Sequence, residues 1–308
     1  MYGTSKAEIT RSKEKIISLK REHNYFIIAH NYVDTDVQDI ADYVGDSLQM
    51  ALKAADSDAE KVLVASIKIM GESAKLLNPD KKVLMVHPYA DCRLANLNNV
   101  EELRELKRKH PAAEVVCYVN SAAELRAEST ITCTSANCVK IVQAIPEDKQ
   151  IIFIPDSNIG KWVEYQTGRK LIMLDSNCYV HHQISFVEAN QTKAQFPDFS
   201  LLVHPECRLE VCKLADEVLS TSQMINYVNE HDKVILGTET GLYDQLRKRY
   251  PQKLLVPLSS RMVCEDMKLI SLDMVAKALA EEQYEINLDG ETGKKSLSSL
   301  QRMWEILG

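Results

Sequence analysis

Phe26-Ile27-Ile28-Ala29-His30-Asn31-Tyr32 is an apolar run that ends on polar and aromatic residues, and its pattern returns twice in the chain. The second copy is Val115-Val116-Cys117-Tyr118-Val119-Asn120 and the third is Leu201-Leu202-Val203-His204-Pro205-Glu206. Each is followed by similar text: Asp39-Ile40-Ala41-Asp42 with Gly45-Asp46-Ser47, Ala127-Glu128-Ser129-Thr130 with Cys133-Thr134-Ser135, and Leu214-Ala215-Asp216-Glu217 with Ser220-Thr221-Ser222. A hydroxyl residue stands 17 positions beyond the strand end in every copy, Ser47 after His30, Ser135 after Tyr118 and Thr221 after His204. The second halves repeat as well. Apolar strands begin at Val62, Ile151 and Val234, and strands opened by lysine begin at Lys82, Lys170 and Lys253. Beyond each lysine strand lies one cysteine, Cys92, Cys178 or Cys264, and both intervals are 86 residues.

A period of this length marks a repeated supersecondary unit. The strands are short continuous apolar runs and the segments between them have helical periodicity, the pattern of a parallel sheet covered on both faces. Each copy reads strand–helix–strand–helix–strand–helix. The predicted fold class is α/β: three homologous three-layer αβα lobes with parallel sheets, arranged about a pseudo-threefold axis around a central cavity. The lobes are placed at 24–111, 112–198 and 199–282. An N-terminal helix occupies 1–23, and a C-terminal helical segment, 283–308, packs on the body through Leu297, Leu300, Met303, Trp304 and Ile306. Ligands of such sheets bind at the carboxyl ends of the strands, where all the polar residues quoted above stand.

The 308 residues are 45% hydrophobic and 26% charged, an ordinary globular composition. The net charge of −7 argues against a sequence-independent grip on nucleic acid or anionic membrane. The first residues lack an apolar export core, and no run approaches the roughly 20 apolar residues of a membrane span. A soluble cytoplasmic protein is expected, so the eight cysteines are not read as a disulfide framework. Cys117 lies within a strand and reads as a buried hydrophobe. Cys133, Cys138, Cys207 and Cys212 lack counterparts in all three copies, Cys207 being the weaker ligand candidate beside Glu206. Cys92, Cys178 and Cys264 remain. Three lone thiolates from three lobes suggest a soft metal site, and their wide spacing argues against a zinc finger. A [4Fe–4S] cluster normally takes four cysteines, so three leave one iron open as a Lewis acid toward hydroxyl and carboxylate.

Residues two apart in a strand share a face, so His30 with Tyr32, Tyr118 with Asn120, and His204 with Glu206 can point together into the cavity. Glu206 and His204 are natural proton-transfer groups, and the tyrosines can donate hydrogen bonds or relay protons. Ser47, Ser135 and Thr221 precede helical segments. They read either as simple N-caps or as parts of helix N-termini that bind carboxylate and phosphate. His181, three residues after Cys178, reads as a neighbour of the metal or of a substrate carboxylate, or as a structural residue; His182 is placed outside.

The stretches Ala29-His30-Asn31-Tyr32 with Gly45-Asp46-Ser47-Leu48, Tyr118-Val119-Asn120-Ser121, Thr134-Ser135-Ala136-Asn137, Pro155-Asp156 with Asn158, Cys178-Tyr179-Val180-His181, His204-Pro205-Glu206-Cys207, Thr238-Glu239, and Cys264 with Met267-Lys268 resemble the quinolinate synthase family, collinearly from about residue 24 to 280. The resemblance implies a three-lobed fold and one oxygen-sensitive [4Fe–4S] cluster on Cys92, Cys178 and Cys264. It implies condensation of iminoaspartate with dihydroxyacetone phosphate to quinolinate, a precursor of NAD, with loss of phosphate and two waters. Glu206, Tyr32, Tyr118 and His204 would then be catalytic. His30, Ser47, Asn120, Ser135, His181 and Thr221 would hold carboxylates and phosphate. The implied partner is an enzyme that supplies unstable iminoaspartate, an L-aspartate oxidase or aspartate dehydrogenase. The chain departs from the family's usual wording at Val33, Thr35, Asp36, Lys68, Gly71, Arg93 and Leu209. A paralogous [4Fe–4S] dehydratase or condensing enzyme for another small dicarboxylic or phosphorylated substrate is the alternative reading. A cluster-bearing sensor without catalysis is a third, and the missing basic stripe speaks against one that binds nucleic acid.

Overall fold

Aliphatic and β-branched residues, buried on both faces, open each of three sheets: Tyr25–His30 (β1), Glu114–Tyr118 (β5) and Ser200–Val203 (β9). The computed structural model describes residues 5–308. β1 is flanked by Tyr43–Gly45 (β2) and Lys61–Ala65 (β3), with Lys82–Met85 (β4) outside β3. β5 is flanked in the same way by Ile131–Cys133 (β6) and Ile151–Ile154 (β7), with Ile172–Met173 (β8) outside. β9 is flanked by Glu217–Val218 (β10) and Lys233–Gly237 (β11), with Leu254–Pro257 (β12) outside. All nine pairings are parallel. The α/β architecture with three parallel sheets is therefore as the repeat predicts. The difference is a fourth strand in each sheet: β2, β6 and β10 are two or three residues long, too short to show as an apolar run.

The repeat extends to individual hydrogen bonds. Between the first and second strands of each sheet, one side chain reaches back to the first strand. Asp42 Oδ2 accepts the Ile27 N–H at 2.8 Å, Thr130 Oγ1 the Val115 N–H at 2.8 Å, and Asp216 Oδ2 the Leu201 N–H at 2.7 Å. The helix ahead of each first strand then anchors a lysine on the same region. Lys20 lies 2.6 Å from Asp42, Lys107 2.8 Å from Glu128, and Lys193 2.9 Å from Asp216. Such partly exposed pairs contribute about 0–1 kcal/mol each, so they specify register more than they stabilise. The helix Val100–Lys109, started by a capping box at Asn99, buries Leu103 in the core of the second sheet with Val115, Cys117, Ile152 and Ile154.

The chain divides into two compact bodies, residues 5–92 with 264–288, and Arg93–Val263 with Asp289–Gly308. The first body holds the β1–β4 sheet. Its helix Leu272–Glu281 lies along the N-terminal helix Lys6–Glu22. The chain then returns to the sheet edge, where the Met85 N–H donates to Tyr284 O and the Ile286 N–H to Val83 O, both at 2.9 Å. Glu282 anchors this return. Its carboxylate takes Lys61 at 2.7 Å, Lys82 at 2.8 Å and the Tyr25 hydroxyl at 3.0 Å. Gly71 belongs to the same packing, since a Cβ there would meet Met85 Sδ at 2.2 Å and Ile286 Cγ1 at 3.2 Å. The second body holds the other two sheets. Its C-terminal helix Gly290–Leu307 packs on β6 and the helix Ala123–Ala127, burying Leu300 and Met303 and bonding Ser299 to Thr132 at 2.8 Å. No helix of the described residues is long and apolar enough to cross a membrane.

Candidate functional site

The backbone stations the three repeated cysteines alike. After the third strand of each lobe in chain order, the first residue of the next helix donates its N–H to a carbonyl two residues ahead of a cysteine. These bonds are Lys68 to Ala90 at 2.9 Å, Ser157 to Ser176 at 2.7 Å, and Thr240 to Met262 at 2.8 Å. Cys92, Cys178 and Cys264 thus occupy corresponding positions beyond the strand ends. They are also the three cysteines with partial exposure; Cys117, Cys133, Cys138, Cys207 and Cys212 are buried. Burial pushes the Cys138 and Cys212 thiols up to about 12 and the Cys133 and Cys207 thiols well above the ordinary range. Those groups stay protonated and are poor ligands and nucleophiles. Cys207 packs its sulfur 3.7 Å from Gly237 O.

In the second body the loop after β8 meets the end of β9. There the Cys178, His181 and Glu206 donor atoms lie within 4.8 Å of one another, a group that could hold a metal ion. Glu206 Oε2 is 2.8 Å from His181 Nδ1 and 3.2 Å from His204 Nδ1. The two imidazoles stack with centroids 4.9 Å apart. His181 Nδ1 also lies 3.4 Å from Cys178 Sγ, while its Nε2 lies 3.0 Å from Thr238 Oγ1. His181, His204, Glu206 and Thr238 are all buried. Burial alone would push the Glu206 carboxyl up. The imidazoles of His204 and His181 outweigh it and hold the group well below the usual carboxylate range. Burial is also the main influence on His181, and it lowers the imidazole from its ordinary value. With Nδ1 2.8 Å from Glu206 Oε2 and Nε2 3.0 Å from Thr238 Oγ1, both ring nitrogens of His181 have a hydrogen-bond partner. The close approach of β9 and β11 sets this up. The His204 N–H donates to Gly237 O at 3.0 Å, and a Cβ on Gly237 would meet Val203 Cγ1 at 2.7 Å and Leu202 O at 2.8 Å.

Tyr118 and Asn120 sit at the end of β5, joined by a 2.9 Å bond from Asn120 Nδ2 to the Tyr118 hydroxyl. In the first body His30 and Tyr32 meet edge to face with centroids 4.5 Å apart. All three i,i+2 pairs therefore bring their side chains together. The hydroxyl residues differ from a capping role. Ser47 and Thr221 are the first helical residues, and the N-caps are Asp46 and Ser220. Ser135 lies in a turn three residues before the helix Cys138–Ala144. His182 is partly exposed, its Nδ1 3.0 Å from Asn158 Nδ2. Among the departures, Val33 is fully buried in the core. Arg93 is exposed, its guanidinium 4.7 Å from the ring of Tyr179.

Sequence reasoning assigned no individual role to Thr238, Asp156 or Asn158. Asp156 Oδ2 accepts the Cys178 N–H at 2.9 Å, and Asn158 Nδ2 donates to Glu206 O at 2.8 Å. The available signal was Asp156 itself, an aspartate immediately before a helical run at the end of a strand.

Residues 14–305 match the family described as Quinolinate synthetase A protein. A quinolinate synthase of Alkaliphilus metalliredigens is 42% identical over 300 residues, 96% of this chain and 99% of that protein. One of Pyrobaculum aerophilum is 39% identical over 303 residues, 95% and 99% of the two chains. Quinolinate synthase 2 of Methanosarcina acetivorans is 39% identical over 297 residues, 96% of each.

Proposed function

The chain belongs to the quinolinate synthetase A protein family, and from that membership we propose that it is an enzyme of NAD biosynthesis that makes quinolinate. Its substrates are iminoaspartate and dihydroxyacetone phosphate, joined with loss of phosphate and two waters. The observation that carries the reading is the ionised, buried Glu206 between two imidazoles beside Cys178. A buried carboxylate within hydrogen-bond reach of two imidazoles and beside a thiol gathers the proton-transfer groups that such a reaction requires.

Cys92, Cys178 and Cys264 hold one [4Fe–4S] cluster in this reading. The donor chemistry fits, because these are soft thiols at corresponding stations and the partly exposed ones among eight. Held by these three cysteines, the cluster would supply Lewis-acid chemistry toward substrate hydroxyl and carboxylate oxygens. The chain's own residues do the rest. Glu206 starts as the base and removes a proton from substrate. His181 orients Glu206 through its Nδ1 contact, and His204 flanks the carboxylate on the other side. Tyr32 and Tyr118 relay protons in the isomerisation steps, and Asn120 orients the Tyr118 hydroxyl. His30, Ser47, Ser135 and Thr221 hold substrate carboxylates and phosphate, Ser47 and Thr221 with helix N-terminal N–H groups to add. A cytoplasmic L-aspartate oxidase or aspartate dehydrogenase supplies the iminoaspartate.

The test is anaerobic purification, reconstitution with iron and sulfide, and addition of dihydroxyacetone phosphate with iminoaspartate generated in situ. Quinolinate at catalytic turnover, detected by mass spectrometry and lost on exposure to air, is the expected result. A cluster-bearing protein that makes no quinolinate overturns the substrate assignment.

A further inference from the structure

Asp156 is fully buried, and each of its oxygens is used. Oδ1 accepts the Ile159 N–H at 2.9 Å and so caps the helix Ser157–Thr167. Capping needs one side-chain oxygen. Oδ2 reaches 22 residues along the chain to the Cys178 N–H, also at 2.9 Å. The same station in the first lobe is Ile67, which caps its helix with no side-chain hydrogen bond, and there the Cys92 N–H is taken by its own neighbour Asp91. In the third lobe the station is Glu239, whose Oε2 accepts the Gly241 N–H at 2.6 Å. Two residues beyond Asp156, the buried Asn158 amide donates to Glu206 O at 2.8 Å and lies 3.0 Å from His182 Nδ1. One helix end thus grips the peptide of a cysteine from the second lobe and the peptide of an acid/base residue from the third.

We propose that Asp156 and Asn158 are positioning residues that set Cys178 and Glu206 against each other, an inference that rests on the catalytic reading of that corner. His181 spans the distance so fixed, with one nitrogen 2.8 Å from Glu206 Oε2 and 3.4 Å from Cys178 Sγ. Relaxing either grip moves a carboxylate whose usefulness depends on sub-ångström placement. Asp156 acts through Cys178, and Asn158 acts through Glu206; neither needs to touch substrate.

Asp156→Ser and Asp156→Asn separate the two jobs of Asp156. Serine and asparagine cap helices as well as aspartate. Serine is too short to reach the Cys178 amide, and asparagine, with its single oxygen kept on the Ile159 cap, turns its NH2 toward that amide. Hydrogen exchange at the Cys178 amide in the iron-free protein reads the bond without any cluster. It is expected to rise roughly ten-fold in both variants while thermal midpoints stay near wild type. The reconstituted variants are expected to show a shifted electron paramagnetic resonance signature and a kcat about 10–100-fold lower. Asn158→Ala is expected to lower kcat with the cluster signature unchanged. Wild-type Cys178 exchange together with a wild-type signature in both Asp156 variants overturns the role of Asp156, and wild-type kcat in Asn158→Ala overturns that of Asn158. If the wild-type protein itself takes up no cluster, the reading of the site falls, and Cys178 exchange still decides whether Asp156 holds that peptide.

Discussion

The first and second lobes share a scaffold and differ in what they do with it. In both, a helix N–H fixes the carbonyl two residues before the cysteine, at 2.9 Å from Lys68 and 2.7 Å from Ser157. Both sheets run in the same strand order with the same parallel sense. Yet the residue before that helix is Ile67 in one and Asp156 in the other, and only the second places a side chain of its helix start on the cysteine's amide. The comparison teaches that backbone repetition stations the thiols, while single side-chain changes at repeated stations differentiate their surroundings. A threefold repeat can therefore build an unsymmetrical site.

The largest expected effect tests the shared part. If the proposed cluster is held by equivalent cysteines, Cys92→Ala and Cys178→Ala should each abolish the iron–sulfur chromophore and turnover together. Retention of an intact cluster in either variant, judged by iron content and absorption, would break the equivalence. Next comes the part that differs. Glu206→Gln should keep the chromophore and lower kcat by about 10²–10⁴-fold, the usual worth of a general base. Normal turnover in that variant would move the base elsewhere.

Two smaller predictions concern the scaffold. Gly237→Ala should lower stability by about 1–3 kcal/mol in denaturant unfolding, since the new Cβ meets strand backbone as well as a side chain. Turnover should drop with it, because the displaced strand end carries His204 and Glu206. Finally, the salt-bridged return at Glu282 should be visible as a pH effect. Hydrogen bonds from Lys61 and Lys82 hold this carboxyl down to about 2, against about 4.3 in an unfolded chain. A depressed folded value stabilises above the unfolded one, and the contribution disappears as pH falls through the folded value. Between pH 5 and 2 the wild type should lose about 1 kcal/mol from this group, discounted for partial exposure. Glu282→Gln should show a correspondingly shallower acid slope and a lower stability at pH 7. Equal slopes would mean that the strap is held by its backbone bonds to Val83 and Met85 alone.

Much of this was legible in the residues because the information is local or periodic. The apolar runs at Phe26, Val115 and Leu201 announce buried parallel strands, and the equal cysteine intervals announce equivalent stations. The edge strands β2, β6 and β10 were not legible, because two or three residues carry no period. Nor were the true caps beside Ser47 and Thr221, since Asp46 and Ser220 are as suitable as their neighbours and only backbone angles separate N-cap from first helical residue. Nor was it legible that Val33 would be buried in the core or that Gly71 leaves room for Met85.

By itself the sequence determined the α/β class, the three-fold repetition, the three cysteines and the pairing of His204 with Glu206. Each of these follows from side-chain type and spacing along one strand or one period. Only the tertiary structure decided that Glu206 sits between His181 and His204, that Thr238 faces His181, and that Asp156 and Asn158 grip Cys178 and Glu206. Apart from the His204–Glu206 pair, those contacts join residues 22 to 57 positions apart. Which distant groups meet is set by how sheets and helices pack, and burial and the neighbouring groups at the meeting point together decide which of them carry charge.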